Sequence, residues 1–247
     1  MHRPWHLGSA FAIALALAGC GDSGPAPVTA PPVAATTSTP AQGGTSRALR
    51  IMPLGDSITQ GDSEHDTYRR PLWKTLESEG YAVDFVGSSQ TNHRGDPPSS
   101  DFDRDHEGHW GWRVDEILER LDGWLDAHEP DVILVHLGSN DVFQGQSIGE
   151  TVEELRSLIG IVRVARPEAT ILLAQIIPTA MPVANRGIRD LNARIAELAA
   201  EDVIIVDQFT GFDAASQTYD GVHPNPDGEI HLSDRWLGVL KELLTAL

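Results

Sequence analysis

The sequence predicts an α/β chain, a three-layer α/β/α sandwich around a five-stranded parallel sheet. Two patterns carry that reading. Five short runs, residues 49–54, 83–86, 132–137, 171–177 and 203–206, are apolar nearly throughout and rich in aliphatic and β-branched side chains. Strands read this way when both faces of a parallel sheet are covered. Between the runs lie longer stretches with helical spacing, and strands that alternate with helices build sheets with helices on both faces.

In chain order, residues 1–20 read as a secretory signal rather than as part of the fold. Arg3 and the amino terminus give a positive start, residues 7–18 are an uncharged apolar run, and small residues precede Cys20. Twelve apolar residues are too few to span a bilayer. Leu17-Ala18-Gly19-Cys20 resembles a bacterial lipobox, which would make Cys20 a lipidated first residue and tie the chain to a membrane of the cell envelope. Residues 21–46 are Pro, Ala, Thr, Ser and Gly with almost no large apolar side chain. Such a segment cannot bury enough surface to fold and is expected to act as a disordered tether.

The folded domain is expected over 47–247. Its helical stretches carry Val114, Ile117, Leu118, Leu121 and Leu125, then Val152, Leu155, Ile159 and Val162, then Ile188, Leu191, Ile195 and Leu198, and finally residues 230–244. Each set repeats at three and four residues and so lines one helix face. About 200 residues suffice for one self-supporting core.

Composition removes several classes of function. The chain has 36 acidic against 18 basic residues, a formal charge of −18. Its first 46 residues hold one of each, Arg3 and Asp22, so the whole excess belongs to the domain. Nucleic acid, held mainly through Lys and Arg, is not an expected partner. One Cys makes neither an internal disulfide nor a thiolate zinc cluster. No cofactor or metal is called for.

Ligands of open α/β sheets sit beyond the carboxyl ends of the strands, so the chemistry is sought in the loops there. Gly55-Asp56-Ser57 follows the first run, Gly138-Ser139-Asn140-Asp141 the third, and Asp220-Gly221-Val222-His223-Pro224 lies in the last loop after the fifth. The first segment is not a phosphate loop, because Asp62 follows Gln60-Gly61 where Lys would stand. It is not a nucleophile elbow either, because Thr59 replaces the second Gly of G-x-S-x-G. Alone it could be a turn in which Asp56 or Ser57 caps the next helix. Three such segments at strand ends bring a Ser, an Asn and an Asp/His pair to one sheet edge.

Together these segments resemble the conserved blocks of the SGNH (GDSL) hydrolase superfamily, over essentially all of 47–247. The resemblance implies a flavodoxin-like sheet and a serine esterase. Ser57 would be the nucleophile, which needs a base to take its proton. His223 would be that base and later the acid. Asp220 would orient His223, with Asp207 the competing orienter. The resemblance further implies an oxyanion hole formed by the Ser57 amide, a glycine amide and the Asn140 side chain. Within His106-Glu107-Gly108-His109-Trp110-Gly111-Trp112 that glycine is taken as Gly111, with Gly108 second. Asp56 and Asp141 read as structural.

Met52-Pro53-Leu54 and the His106-Glu107-Gly108-His109 stretch further resemble the carbohydrate esterase branch that includes acetylxylan esterases. The expected substrate is thus an acylated polysaccharide or another small ester. Two alternatives stay open: a lysophospholipase or acyl thioesterase, and a non-catalytic envelope lipoprotein that binds polysaccharide. No loop rich in exposed Leu, Phe or Met stands near the motifs, which favours short acyl groups.

The remaining polar residues say less. Asp101, Asp103, Asp105 and Glu107 alternate like a calcium loop, but His106 and Trp112 stand where an EF-hand needs Gly and Glu. His106 and His109 lack the spacing of zinc hydrolases and read as packing or cleft-lining groups. Trp110 and Trp112 read either as rings that stack on a sugar or as core.

Overall fold

A computed structural model describes residues 47–246. The signal, the lipobox Cys20 and the tether lie outside the described residues. The five apolar runs form strands: β1 (Leu49–Gly55), β2 (Val83–Phe85), β4 (Val132–His136), β5 (Thr170–Gln175) and β6 (Val203–Asp207). They are ordered β2-β1-β4-β5-β6, and every pairing is parallel.

The sheet has one strand more than the five predicted. Residues 107–108 form β3 (Glu107–Gly108), which pairs with the end of β1 through Leu54 opposite Glu107 and Gly55 opposite Gly108. Two residues show no hydrophobic period, so no sequence pattern could announce them. The added strand matters because it lays His109 and its successors beside the carboxyl end of β1, where the His109 amide donates to the Gly55 carbonyl at 2.9 Å.

Alternation along the strands feeds two apolar layers. Met52, Ile133, Val135, Ile171 and Leu173 face helices α3 (Val114–Leu118), α4 (Leu121–His128), α6 (Ile148–Ala165) and α7 (Ala184–Ile195). Ile51, Leu134 and Leu172 face α2 (Arg69–Ser78) and α9 (Pro226–Ala246), where Leu72, Leu76, Leu232, Trp236 and Leu240 are buried. The stretch from Val114 to Leu125 is broken into α3 and α4 at Glu119-Arg120, and α2 has no counterpart in the sequence analysis. Helix starts follow local chemistry: Ser147 and Glu150 form a capping box on α6. Asn225 accepts from the Asp227 and Gly228 amides ahead of α9.

Candidate active site

Strand β1 ends at Gly55, and helix α1 (Ser57–Gln60) begins two residues later. The turn is tight. A Cβ on Gly55 would stand 2.7 Å from the His136 carbonyl oxygen, so only glycine fits between β1 and β4. Asp56 caps α1 by accepting from the Ile58 amide at 2.9 Å. The capping role read from the sequence thus falls to Asp56, and Ser57 is left to point across the strand ends.

There it meets the last loop. Ser57 Oγ lies 2.9 Å from His223 Nε2, and His223 Nδ1 lies 2.7 Å from Asp220 Oδ2. The other Asp220 oxygen accepts from the Val222 and His223 amides at 2.9 and 2.8 Å. Partial burial pushes the Asp220 carboxyl up, but the bonds from His223 and Val222 outweigh it and hold the group below the usual carboxylate value. Asp207 does not compete: its Oδ1 accepts from the Phe209 and Thr210 amides at 3.0 and 2.8 Å.

The two candidate glycines separate on their amides. The Gly108 amide donates to His106 Nδ1 at 2.9 Å, and a Cβ there would stand 2.8 Å from Gln60 Cα, so Gly108 serves close packing against α1. Gly111 has φ +82°, and among the described residues its amide has no acceptor. The Ser57 amide is uncommitted in the same sense. Asn140, on α5 (Ser139–Phe143), donates through Nδ2 to the Trp112 carbonyl at 2.9 Å. That bond fixes the amide next to Gly111 and leaves its second hydrogen free.

A support not foreseen from the sequence lies behind Ser57. Arg69 is fully buried and donates to the Thr59 carbonyl at 2.8 Å, and to Gln60 O, Asn92 Oδ1 and Arg104 O, each at 2.9 Å. It thereby closes the carboxyl end of α1 and ties it to two neighbouring loops. Burial lowers its guanidinium to about 10, which leaves it charged at neutral pH. Nothing in the sequence separates it from Arg70, whose side chain turns outward to Asp101.

Asp56 and Asp141 are buried beneath this edge. Burial raises Asp56 to about 7, with Asp141 adding to the rise, and burial raises Asp141 itself to about 6. Asp141 accepts from the Val114 amide at 3.3 Å, which links α5 to α3.

The acidic stretch does not converge. Asp101 pairs with Arg70 at 2.7 Å and Lys74 at 3.1 Å, Asp103 accepts from the Phe85 amide at 2.9 Å, and the buried Glu107 accepts from Ser88 and His109. Among the described residues no group of three or more His, Cys, Asp or Glu could hold a metal ion. His106 is buried between the Gly108 amide and the Thr91 carbonyl, and burial lowers its ring well below the ordinary histidine value. His109 stacks on Trp112 at 4.3 Å and on Trp124 at 4.7 Å. Trp110, read as a sugar platform or core, stacks instead on His93 and His223. The loop after β5 also differs from expectation. Its Ala180 amide donates to the Gly221 carbonyl at 2.7 Å, which sets Met181, 43% exposed, and Val183, 90% exposed, near the His223 loop.

With that geometry in view, residues 54–229 match the model of the GDSL-like lipase/acylhydrolase family. The chain belongs to this family. It is the family that the Gly55, Gly138 and Asp220 segments resemble. The chain is also similar to a multidomain esterase of Ruminococcus flavefaciens, 31% identical over 229 aligned residues that cover 80% of this chain and 29% of that protein. It therefore spans under a third of that relative. A family 3 carbohydrate esterase of Clostridium thermocellum superposes with a TM-score of 0.67 at 29% identity, covering 81% of this chain and 98% of that one. One from Talaromyces cellulolyticus gives 0.70 at 28%, covering 81% and 99%. The α/β sheet flanked by helices is the fold of these acylhydrolases.

Proposed function

We propose that the chain is a serine esterase that removes small acyl groups, acetyl above all, from carbohydrate. The hydrogen-bonded series Ser57, His223, Asp220 carries the proposal. In the reaction, Ser57 Oγ bonds to the acyl carbon while its proton passes to His223 Nε2. The carbonyl π electrons move onto oxygen, and that oxyanion is met by the Ser57 amide, the Gly111 amide and Asn140 Nδ2. As the C–O bond to the sugar breaks, His223 returns the proton to the departing oxygen. Water, deprotonated by His223, then releases the acyl group and restores Ser57. Asp220 stays ionised and holds the His223 tautomer.

The solved neighbours at 28–29% identity support a small acyl group on a sugar: two are carbohydrate esterases by name and a third is an acetyl esterase. The second reading, a lysophospholipase or acyl thioesterase, draws on Met181 and Val183, which offer an exposed apolar edge beside the Gly221 turn.

We further propose export and lipidation at Cys20, which Leu17-Ala18-Gly19-Cys20 supports. Arg47 enters at the amino end of β1, the opposite end of the strand from Ser57, so the catalytic edge is the one remote from where the preceding segment joins.

Acetate release from acetylated xylan by the full chain tests the substrate class, beside p-nitrophenyl acetate, butyrate and palmitate and with Ser57→Ala as control. Acetate release that the mutation abolishes is the expected result. Preference for palmitate moves the function to lipid or thioester cleavage.

A further inference from the structure

The Cβ–Cγ bond and the hydrogen bonds at Nδ1 and Nε2 aim the His223 ring, and it can still rock about χ2 within the tolerance of those hydrogen bonds. Contacts against its face narrow that rocking. The Trp110 indole provides one: the ring centroids are 4.6 Å apart and the planes 22° from parallel. The Tyr219 ring follows at 5.7 Å and 16°.

Both rings are themselves backed by a histidine. His93 stacks on Trp110 at 4.6 Å and 19°, and His65 stacks on Tyr219 at 3.7 Å and 7°. His223 is therefore the middle member of a run of five rings: His65, Tyr219, His223, Trp110, His93. Both ends of the run are tied to the segment just after Ser57. The Trp110 amide donates to Gln60 Oε1 at 2.8 Å, and the His93 amide to the Gly61 carbonyl at 2.9 Å. At the other end the Tyr219 hydroxyl donates to Asp62 Oδ2 at 3.2 Å, while Asp62 Oδ1 bonds the His65 ring at 2.9 Å. An open, solvated histidine would need none of this.

We propose, on the Ser57–His223–Asp220 reading, that Trp110 is a positioning residue for the reaction, with Tyr219 as the weaker second. Its ring keeps the His223 imidazole in the plane that joins Asp220 to Ser57. It also faces the imidazolium that exists between the two proton transfers, from Ser57 Oγ to Nε2 and from Nε2 to the departing sugar oxygen. A cation within about 6 Å of an indole face is stabilised by the ring quadrupole, most where water is excluded. The ground-state imidazole is neutral and gains less, so the effect is exerted on kcat rather than on substrate binding.

The test compares Trp110→Leu, Trp110→Phe, Tyr219→Leu and Ser57→Ala in the full chain, with p-nitrophenyl acetate and acetylated xylan. Trp110→Leu fills part of the volume without a π face, and is expected to lower kcat about 10-fold with KM changed by less than about twofold. Trp110→Phe keeps a ring and is expected to restore kcat to within about threefold of the parent. Tyr219→Leu, at the more exposed position, keeps the inference testable should Trp110→Leu fail to fold, and is expected to lower kcat about threefold. Parental kcat in both leucine variants, or equal losses in Trp110→Leu and Trp110→Phe, overturns the inference. Ser57→Ala separates the two levels. If it turns over at the parental rate, the nucleophile reading falls; if it is inactive while Trp110→Leu is unimpaired, only the role of Trp110 falls.

Discussion

The Arg69 guanidinium donates to the Thr59 carbonyl at 2.8 Å, inside the core and two residues beyond Ser57. Among the described residues no carboxylate is a hydrogen-bond partner of that guanidinium; its partners are three carbonyls and the Asn92 amide oxygen, with the Thr67 hydroxyl at 3.1 Å. The cation is thus spent on holding the carboxyl end of α1 in place. A helix of four residues has almost no stability of its own, so the nucleophile stands still only because groups around it do.

Replacing that cation should therefore cost stability and geometry together. Arg69→Met leaves the Thr59, Gln60 and Arg104 carbonyls without their donor and is expected to destabilise the fold by about 3 kcal/mol or more. Urea unfolding followed by tryptophan fluorescence measures it. Arg70→Met, which loses an exposed pair with Asp101, is the control and is expected to leave the midpoint near the parent's.

The two aspartates at the sheet edge give opposite expectations. Asp220→Asn keeps the shape but no longer favours the productive His223 tautomer, and is expected to lower kcat roughly 100- to 10,000-fold. Asp207→Asn touches only the turn at Phe209 and Thr210 and is expected to leave kcat within about twofold. Steady-state kinetics on p-nitrophenyl acetate decide it, and equal losses would reverse the assignment.

Asn140 is expected to act in the transition state alone. Asn140→Ala removes one oxyanion donor and is expected to lower kcat about 100- to 1,000-fold, with KM nearly unchanged because the neutral ester carbonyl uses that donor weakly. A rise in KM with kcat intact would make Asn140 a ground-state binding group instead.

Burial also predicts a pH dependence. Asp56 is raised to about 7 in the fold from an ordinary value near 4, so the folded state holds its proton over an interval in which the unfolded chain has released it. Its contribution to stability is complete below about pH 4 and is lost as pH rises through about 7. The buried His136, lowered to about 4, pulls the other way between pH 4 and 6.5, so the parent's curve alone does not isolate Asp56. The difference between Asp56→Asn and the parent does. Relative to the parent, the Asn variant is expected to gain stability from pH 5 to about pH 7 and to level off above it, and thermal unfolding from pH 5 to about pH 8 measures it.

What could be read in the sequence divides along physical lines. Strands β1, β4, β5 and β6 have both faces packed against apolar layers, wholly in β4 and partly in the edge strand β6, and such burial leaves a run that is apolar nearly throughout and needs no partner to be recognised. Ser57 and Asn140 were legible because each sits in a short segment just beyond a strand, β1 and β4; Asp220 and His223 lie well past the end of β6 and were legible as an Asp-x-x-His pair that resembles a family block. The rest depends on contacts far apart in the chain. Strand β3 exists because Glu107 and Gly108 lie against Leu54 and Gly55, and two residues carry no period. Arg69 and Arg70 are adjacent and chemically identical, yet one is core and the other surface; only the packing of α2 against α1 decides which. The sequence already prefers Gly111 to Gly108; the packing of Gly108 against Gln60, which helps to separate the two, is a contact far apart in the chain.

Trapping the nucleophile tests the role of Ser57 most plainly. Treating the full chain with a p-nitrophenyl phosphonate and mapping the adduct by peptide mass spectrometry is expected to place one phosphonyl group on Ser57, with loss of esterase activity in step with labelling and no adduct in Ser57→Ala or, on the same timescale, in His223→Ala. An adduct on another residue, or full activity in a chain fully labelled at Ser57, would contradict the account.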